Sequence, residues 1–275
     1  MAMIVLLGGK GAPGATTSAA VLASVWPRSV ILADLDPAGG DVAAGWLGQW
    51  LVDGWVRADR GVLGFATATR HLPTATLDML GDHLQVAPPA PHVRLLAGLQ
   101  NPAQATAIGD PGWRHLAQAL TGHDETDVLV DAGRFSDQAP WPLLTAADLV
   151  LLIVRPHSRH LLAARSALEV LRARLARGRL GVGVCATTAA GSREVGRVLG
   201  AQVGLELPDD PRAAAIFSDG ADAGEVPARS ALVRTARRAA HRLHAAFHPA
   251  DATSAVPAPR EPRAPVPAPV GGEIR

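Results

Sequence analysis

The sequence predicts an α/β fold: a mostly parallel, twisted sheet with helices on both faces. Short apolar runs of strand length alternate with helical patterns, and strands in that order pair in parallel through right-handed crossovers. Several of the runs, such as Val30-Ile31-Leu32-Ala33 and Leu149 to Val154, are apolar throughout, as strands buried on both faces are. The first run, Met3 to Leu7, passes directly into a glycine-rich loop and a Thr-Ser-rich helix start, which is the opening of a crossover unit.

In order, strands are expected near 3–8, 30–34, 93–97, 127–131, 149–154, 181–186 and 203–206. Helices are expected near 15–26, 111–121, 158–177, 192–200, 211–218 and 230–247. The stretch 41–92 holds Trp46, Trp50, Trp55, several glycines and the break Pro88-Pro89-Ala90-Pro91. It is expected to form short helices and loops at the edge facing a ligand. Residues 1–247 read as one domain. Residues 248–275, rich in proline and alanine and poor in bulky apolar side chains, read as a disordered, partly polyproline tail.

Composition suits that reading. The chain has 275 residues, 48% of them apolar, and a net charge of +1, enough for one sizeable core and without a dominating field. Mean hydropathy is +0.15, and no apolar stretch reaches the length of a membrane span. No basic segment precedes the first strand, so neither a signal peptide nor an anchor is expected. The single cysteine, Cys185, excludes an intramolecular disulfide and reads as a buried strand position. The histidines show no metal-ligand spacing: His241 and His244 lie three apart, but no third ligand is near them in sequence.

The loop carries the chemistry. Of 26 basic residues only one is a lysine, and that residue, Lys10, sits in the loop GGKGAPGATT. A strand, a glycine-rich turn and a helix start bring consecutive backbone N–H groups and a helix N-terminus onto one phosphate. The usual phosphate-loop pattern, G-x-x-x-x-G-K-[ST], maps onto Gly9 to Thr16 with Ala15 where the lysine belongs. Gly9, Lys10, Gly11, Ala12, Pro13, Gly14, Ala15, Thr16 and Thr17 are the candidate phosphate contacts. Losing that lysine removes charge-assisted contacts of about 1.5–3 kcal/mol each, or roughly one to two decades of affinity.

The segment K-G-A-P-G-A-T resembles the deviant Walker A loop of the MinD/ParA family of P-loop ATPases, K-G-G-x-G-K-[ST]. The resemblance covers roughly residues 1–247 in order. Asp34-Leu35-Asp36-Pro37-Ala38-Gly39 looks like the family's D-x-D-P-x-G block, and Asp127 to Asp131 looks like a Walker B strand. Leu199-Gly200 and Leu207 to Ala215 resemble the stretch that closes over the base. The resemblance implies ATP and Mg²⁺ as ligands and a nucleotide-sandwich homodimer. Thr16 would then lie in the metal-ligand position with Asp131 acting on Mg²⁺, Asp36 would orient the attacking water, and Pro208 would lie beside the base. Lys10 would supply charge, across the dimer or within its own subunit; the sequence leaves both poses open.

Within the family the chain is most like the divergent CpaE/TadZ-type localisation factors, on the strength of Ala15, the strand end Leu95-Leu96-Ala97-Gly98 and the Asp209–Arg212 block. That implies a cytoplasmic positioning factor, with a protein partner in a pilus, secretion, partitioning or division system and with slow turnover. A pseudo-ATPase scaffold and a DNA-partitioning ATPase are the alternatives. Arg134, following Asp131-Ala132-Gly133, is the candidate replacement cation. Thr187 stands where many relatives carry an adenine-reading asparagine, and Asp34 and Asp41 read as a strand brace and a helix cap. Ser230 to Phe247 carries a stripe of Leu232, Ala236, Ala239, Leu243 and Phe247. Lying at the inner face of a membrane is one reading of that helix, and closing the sheet is the favoured one. The arginines at 155, 159 and 165–179 are likewise read as a solvated face in preference to a DNA surface.

Overall fold

A computed structural model describes residues 1–11, 14–122, 126–221 and 229–249. The chain runs β1 (Met3–Gly8), α1 (Ala15–Ser24), β2 (Val30–Asp34), α2 (Val42–Gly45), α3 (Gly48–Val52), α4 (Val62–Thr69), α5 (Leu77–Gly81), β3 (Gln85–Ala87) and β4 (Ala90–Leu96). It continues α6 (Pro102–Thr121), β5 (Asp127–Arg134), α7 (Trp141–Ala146), β6 (Leu149–Val154), α8 (Ser158–Arg174), β7 (Leu180–Val184), α9 (Ala189–Leu199), β8 (Val203–Glu206), α10 (Pro211–Ser218) and α11 (Ala231–Phe247).

The strands form one eight-stranded sheet in the order β3-β4-β2-β5-β1-β6-β7-β8, parallel except for the β3–β4 pair. β1 therefore lies between β5 and β6, each in parallel register with it. Every residue of β1 and β2 is buried, which is why those runs carry no polar alternation. Two apolar layers cover the sheet. On one face Met3, Val5, Leu7 and Val128 pack against α4, α6, α7, α8 and α9, and on the other Ile4, Leu6, Leu32 and Leu129 pack against α1, α2, α10 and α11.

The seven expected strands are present, with small changes at their ends. β7 stops at Val184, and the Cys185 amide still donates to Val154 O at 2.9 Å. β3 was not expected: three residues are too short to show a period, and the Pro-rich break supplies the turn of an antiparallel hairpin instead of a loop. The rest of 41–92 forms four short helices, as expected. α6 begins at Pro102, earlier than the expected 111–121, because Asn101 caps a first half by accepting from Gln104 N. Gly109 (φ 61°, ψ −176°) breaks the helix and Pro111 starts the second half. α8 ends at Arg174, before the expected 177, and α9 begins at Ala189, where the Thr188 hydroxyl accepts from Gly191 N.

α11 closes the sheet. Leu232, Ala236, Ala239 and Leu243 are buried and Phe247 is partly so, while Arg234, Arg237, Arg238, His241 and Arg242 are exposed. The apolar stripe that a membrane contact would use is thus spent in the core. Its far end is fixed at the base of the sheet by Asp127, which accepts from Trp26 Nε1 at 3.0 Å and from Ala2 N at 2.7 Å. His244 Nδ1 and His248 Nε2 lie 2.9 Å and 2.8 Å from the same carboxylate. Asp127, His244 and His248 together have the makeup of a metal-ligand set that the sequence spacing did not reveal, because one member lies 117 residues away. Of the tail expected over 248–275, the part from 250 onward lies outside the described residues. Among the described residues no helix is long and apolar enough to cross a membrane.

Candidate phosphate-binding site

The glycine-rich loop leaves β1 at the C-terminal edge of the sheet, where ligands of open α/β sheets bind. Gly11 (φ 65°) and Gly14 (φ 129°) take backbone conformations open to glycine, and Gly14 turns the chain into α1. The first α1 acceptor is Gly14 O, which takes Ser18 N at 2.8 Å. The amides of Ala15, Thr16 and Thr17 come before it in the helix and have no intrahelical acceptor, so they are available to an anion. No acidic residue lies in that first turn. Gly8, Gly9, Gly11, Gly14, Ala15, Thr16, Asp36, Gly133 and Arg134 line one open cleft of about 290 Å³.

The carboxylates come from two adjacent strands. Asp34, the last residue of β2, is the register partner of Asp131 in the second half of β5, and Asp36 follows Asp34 two residues on. Asp34 is buried; its Oδ2 accepts from Val42 N at 2.9 Å and its Oδ1 has no partner. Burial, and next the charge of Asp131, push its pKa well above the ordinary value. Asp131 is equally buried, and burial lifts its pKa to about 6 against the lowering effect of the Thr16 hydroxyl and the Gly133 amide. Its Oδ2 also has no partner. An unpartnered carboxylate oxygen beside a hydroxyl, at the foot of a phosphate loop, is a donor set that fits a hard divalent cation such as Mg²⁺.

Asp36 is held in a turn by Ala38 N, which donates to its Oδ1 at 2.7 Å. Burial raises its pKa, while the Ala38 amide and the Arg134 charge pull it down. Gly133 (φ 64°) passes so close that a Cβ would fall on the Asp36 carboxyl group. Gly98 plays a similar part beneath Asp34, where a Cβ would meet the Asp34 carboxyl carbon at 2.8 Å and Gly40 Cα at 2.8 Å. The strand end at 95–98 is thereby tied to the site.

Of the sequence candidates, Gly9, Gly11, Gly14, Ala15, Thr16, Asp36 and Arg134 meet in the cleft, with Asp131 directly behind Thr16. Lys10 is exposed and is not among the lining residues. Thr17 and Pro208 do not line the cleft either, and Ala12 and Pro13 lie outside the described residues. Thr187 and Pro208 sit next to each other at the edge of β7 and β8, since Thr187 N donates to Leu207 O at 3.2 Å. Asp41 precedes α2 but its side chain makes no cap. Sequence reasoning gave Asp34 only a bracing role. The D-x-D alternation, which puts Asp34 and Asp36 on one side of a strand end, was the available signal for a shared carboxylate site.

The arginines at 159 and 165–179 are exposed, as the solvated-face reading expects, and several also make contacts within the chain. Arg172 Nη2 donates to Leu199 O and Gly200 O at 3.1 and 2.8 Å, closing the C-terminus of α9. Arg165 and Arg179 reach Val198 O and Ala147 O, and the Arg174 guanidinium lies 4.3 Å from the Trp141 ring centroid.

No protein-family model matches the sequence, and no match was found among the curated proteins. Solved structures are similar to it in shape. A ParA family ATPase from Chlorobium tepidum superposes with a TM-score of 0.70 at 19% identity, over 88% of this chain and 98% of that one. The septum site-determining protein MinD from Pyrococcus horikoshii, complexed with Mg-ADP, superposes at 0.62 and 17% identity over 88% and 95%. A putative plasmid partition protein from Borrelia burgdorferi, bound to AMPPNP, gives 0.64 at 11% identity over 90% and 99%. The eight-stranded, mostly parallel sheet with its loop after β1 is thus the fold of the ParA and MinD P-loop ATPases.

Proposed function

We propose that this chain is an ATP-binding positioning factor of the MinD/ParA kind, with a slow or impaired ATPase, that works as a nucleotide-dependent homodimer. The observation that carries the reading is the cleft itself: the α1 N-terminus, Asp36 and Arg134 line it, while the buried Asp131, with an unpartnered carboxylate oxygen, stands behind Thr16. The α1 N-terminus and the loop amides would hold the phosphates. Thr16 would hold Mg²⁺ with Asp131 nearby, and the bound cation would neutralise phosphate charge. Asp36, fixed by Ala38 N and screened by Arg134, is the carboxylate that orders a water for attack on the terminal phosphate. Lys10, exposed at the rim, supplies charge to a second copy in this reading, and Thr187 and Pro208 flank the base.

Ala15 favours the rival reading, a pseudo-ATPase scaffold that keeps the dimer and partner surfaces without chemistry. A CpaE/TadZ-like role in placing pilus or secretion machinery fits a weakened loop better than DNA partitioning, because the net charge of +1 supplies no dominating basic field. The working location in this reading is the cytoplasm. Titration of a fluorescent ATP analogue with and without Mg²⁺, with sedimentation run in parallel, tests the proposal. Saturable, Mg²⁺-dependent binding with a monomer-to-dimer shift is expected. Absence of binding at millimolar nucleotide would overturn it in favour of the scaffold.

A further inference from the structure

The sheet order places β6 on the side of β1 away from the carboxylates, so the segment that follows β6 runs along the outer flank of the phosphate loop. The contact is close. Gly9 N donates to Ile153 O at 3.1 Å, and the space where a Gly11 Cβ would stand ends on His160 Nε2 at 3.7 Å. That segment reads Arg155-Pro156-His157-Ser158-Arg159-His160, four basic side chains with no acid among them. His160 is buried, its ring lies 5.6 Å from that of His157, and its Nε2 accepts from Arg159 Nε at 3.3 Å. No carboxylate is paired with any of the four among the described residues.

Two donors in the cluster are buried and unsatisfied: Arg155 Nε and His160 Nδ1. Burying such groups without a partner is costly, and crowding like charges adds to the cost. Burial, and next the neighbouring Arg159, His157 and Arg155, lower the pKa of His160. Two arginine cations, with unused buried N–H groups on Arg155 and His160, are complementary to an anion. The nearest designed anion position in the fold is the loop that Gly9, Gly11 and Gly14 build, and Cys185, which feels the Arg155 charge, lies 3.6 Å from the Gly14 Cβ position.

We infer that Arg155, with His157, Arg159 and His160, is a second polyphosphate-binding element that flanks the glycine-rich loop opposite Arg134 and supplies the positive charge missing at Ala15. The inference rests on the proposed function in that its ligand is the phosphate chain of a nucleotide held over the loop. It goes further in naming the compensating residues, none of which belongs to the loop motif. Arginine suits the task because its guanidinium grips phosphate oxygens at two points and stays charged when buried.

The test compares the full chain with Arg155→Gln, the exposed double variant His157→Ala/Arg159→Ala, and Arg237→Ala on the outer face of α11 as a charge control. Each is titrated with a fluorescent ATP analogue and with inorganic tripolyphosphate, after thermal melts confirm folding. Arg155→Gln is expected to weaken both ligands roughly tenfold to a hundredfold, matching the loss of one charge-assisted contact. The double variant should weaken them less and steepen no melt, and the control should change neither. If Arg155→Gln does not fold, the double variant decides, because its residues are exposed. Loss at every protein concentration assigns the contact to the chain's own nucleotide, and loss only where dimers form assigns it to a second copy's. Unchanged affinity in the variants would overturn the inference and leave ATP binding intact. Tripolyphosphate binding that needs Arg155, without ATP binding, would keep the inference and refute the proposed function. Binding of neither ligand by the wild type would refute both.

Discussion

Ala15 is the residue on which the proposed chemistry turns. It lies at the first helical position of α1, buried and in the cleft lining. Ala15→Lys should therefore raise affinity for an ATP analogue about tenfold to a hundredfold, with a gain in steady-state phosphate release, as read by titration and a coupled assay. No gain would mean that phosphates do not pass this point. Gly133 is the second such position. With φ at 64° and the Asp36 carboxyl group where a Cβ would stand, Gly133→Ala should cost on the order of 1–2 kcal/mol in urea unfolding from backbone strain alone, and displace Asp36 besides. At this scale the motif residues Gly9, Gly14, Thr16, Asp36 and Asp131 were legible in the sequence because each is tied to a fixed offset in a local pattern. Arg155 and His160 were not, since their meaning comes from lying beside a loop some 145 residues earlier.

Among the elements, α11 shows how a helix can read as membrane-active yet serve the core. Its narrow Ala-Leu stripe packs on β8, α1 and α10, and Asp127 pins its C-terminal turn through two histidines. Asp127→Ala leaves the Trp26 indole and the Ala2 amide without an acceptor in a buried place, so a loss of about 3–5 kcal/mol in urea unfolding is expected. Little change would mean that packing alone holds the helix. The short elements resisted sequence reading. β3 has three residues and α7 six, lengths over which neither a two-residue nor a 3.6-residue period can be recognised. α6 was half missed because Gly109 and Pro111 look like a loop, whereas they mark a break inside a longer helix.

For the molecule as a whole, the buried acids set opposite slopes of stability against pH. The Asp131 pKa is raised in the folded state, to about 6 from 3.8, so between those values the folded chain holds a proton that the unfolded chain releases. Stability of the ligand-free protein should fall as pH rises through that window, and Asp131→Asn should make the fall shallower, the remainder belonging to Asp34 and Asp36, and melt higher than wild type at pH 7. Burial works to raise Asp127 as well, but donation by Trp26, His248, His244 and Ala2 N outweighs it and holds that pKa below the ordinary value. Its contribution is present above the unfolded value and lost as pH drops through the folded one, so a second decline is expected on the acid side below about 4. Melting curves from pH 3 to 8 check both; a wild type and Asp131→Asn that track each other between 4 and 6 would contradict the assignment.

Local sequence carries the layered α/β architecture, the glycine-rich loop after β1 and the acids of β2 and β5, because those features follow from short-range periodicity and from backbone needs that only certain residues meet. Tertiary structure alone decided the strand order, and with it everything that depends on adjacency between distant segments. Setting β1 between β5 and β6 brought Asp131 and Arg134 to one flank of the loop and the Arg155–His160 cluster to the other, and closing the sheet with α11 joined His244 and His248 to Asp127. Pairing between strands is fixed by burial and register across the whole sheet, and no local run of residues encodes its neighbours.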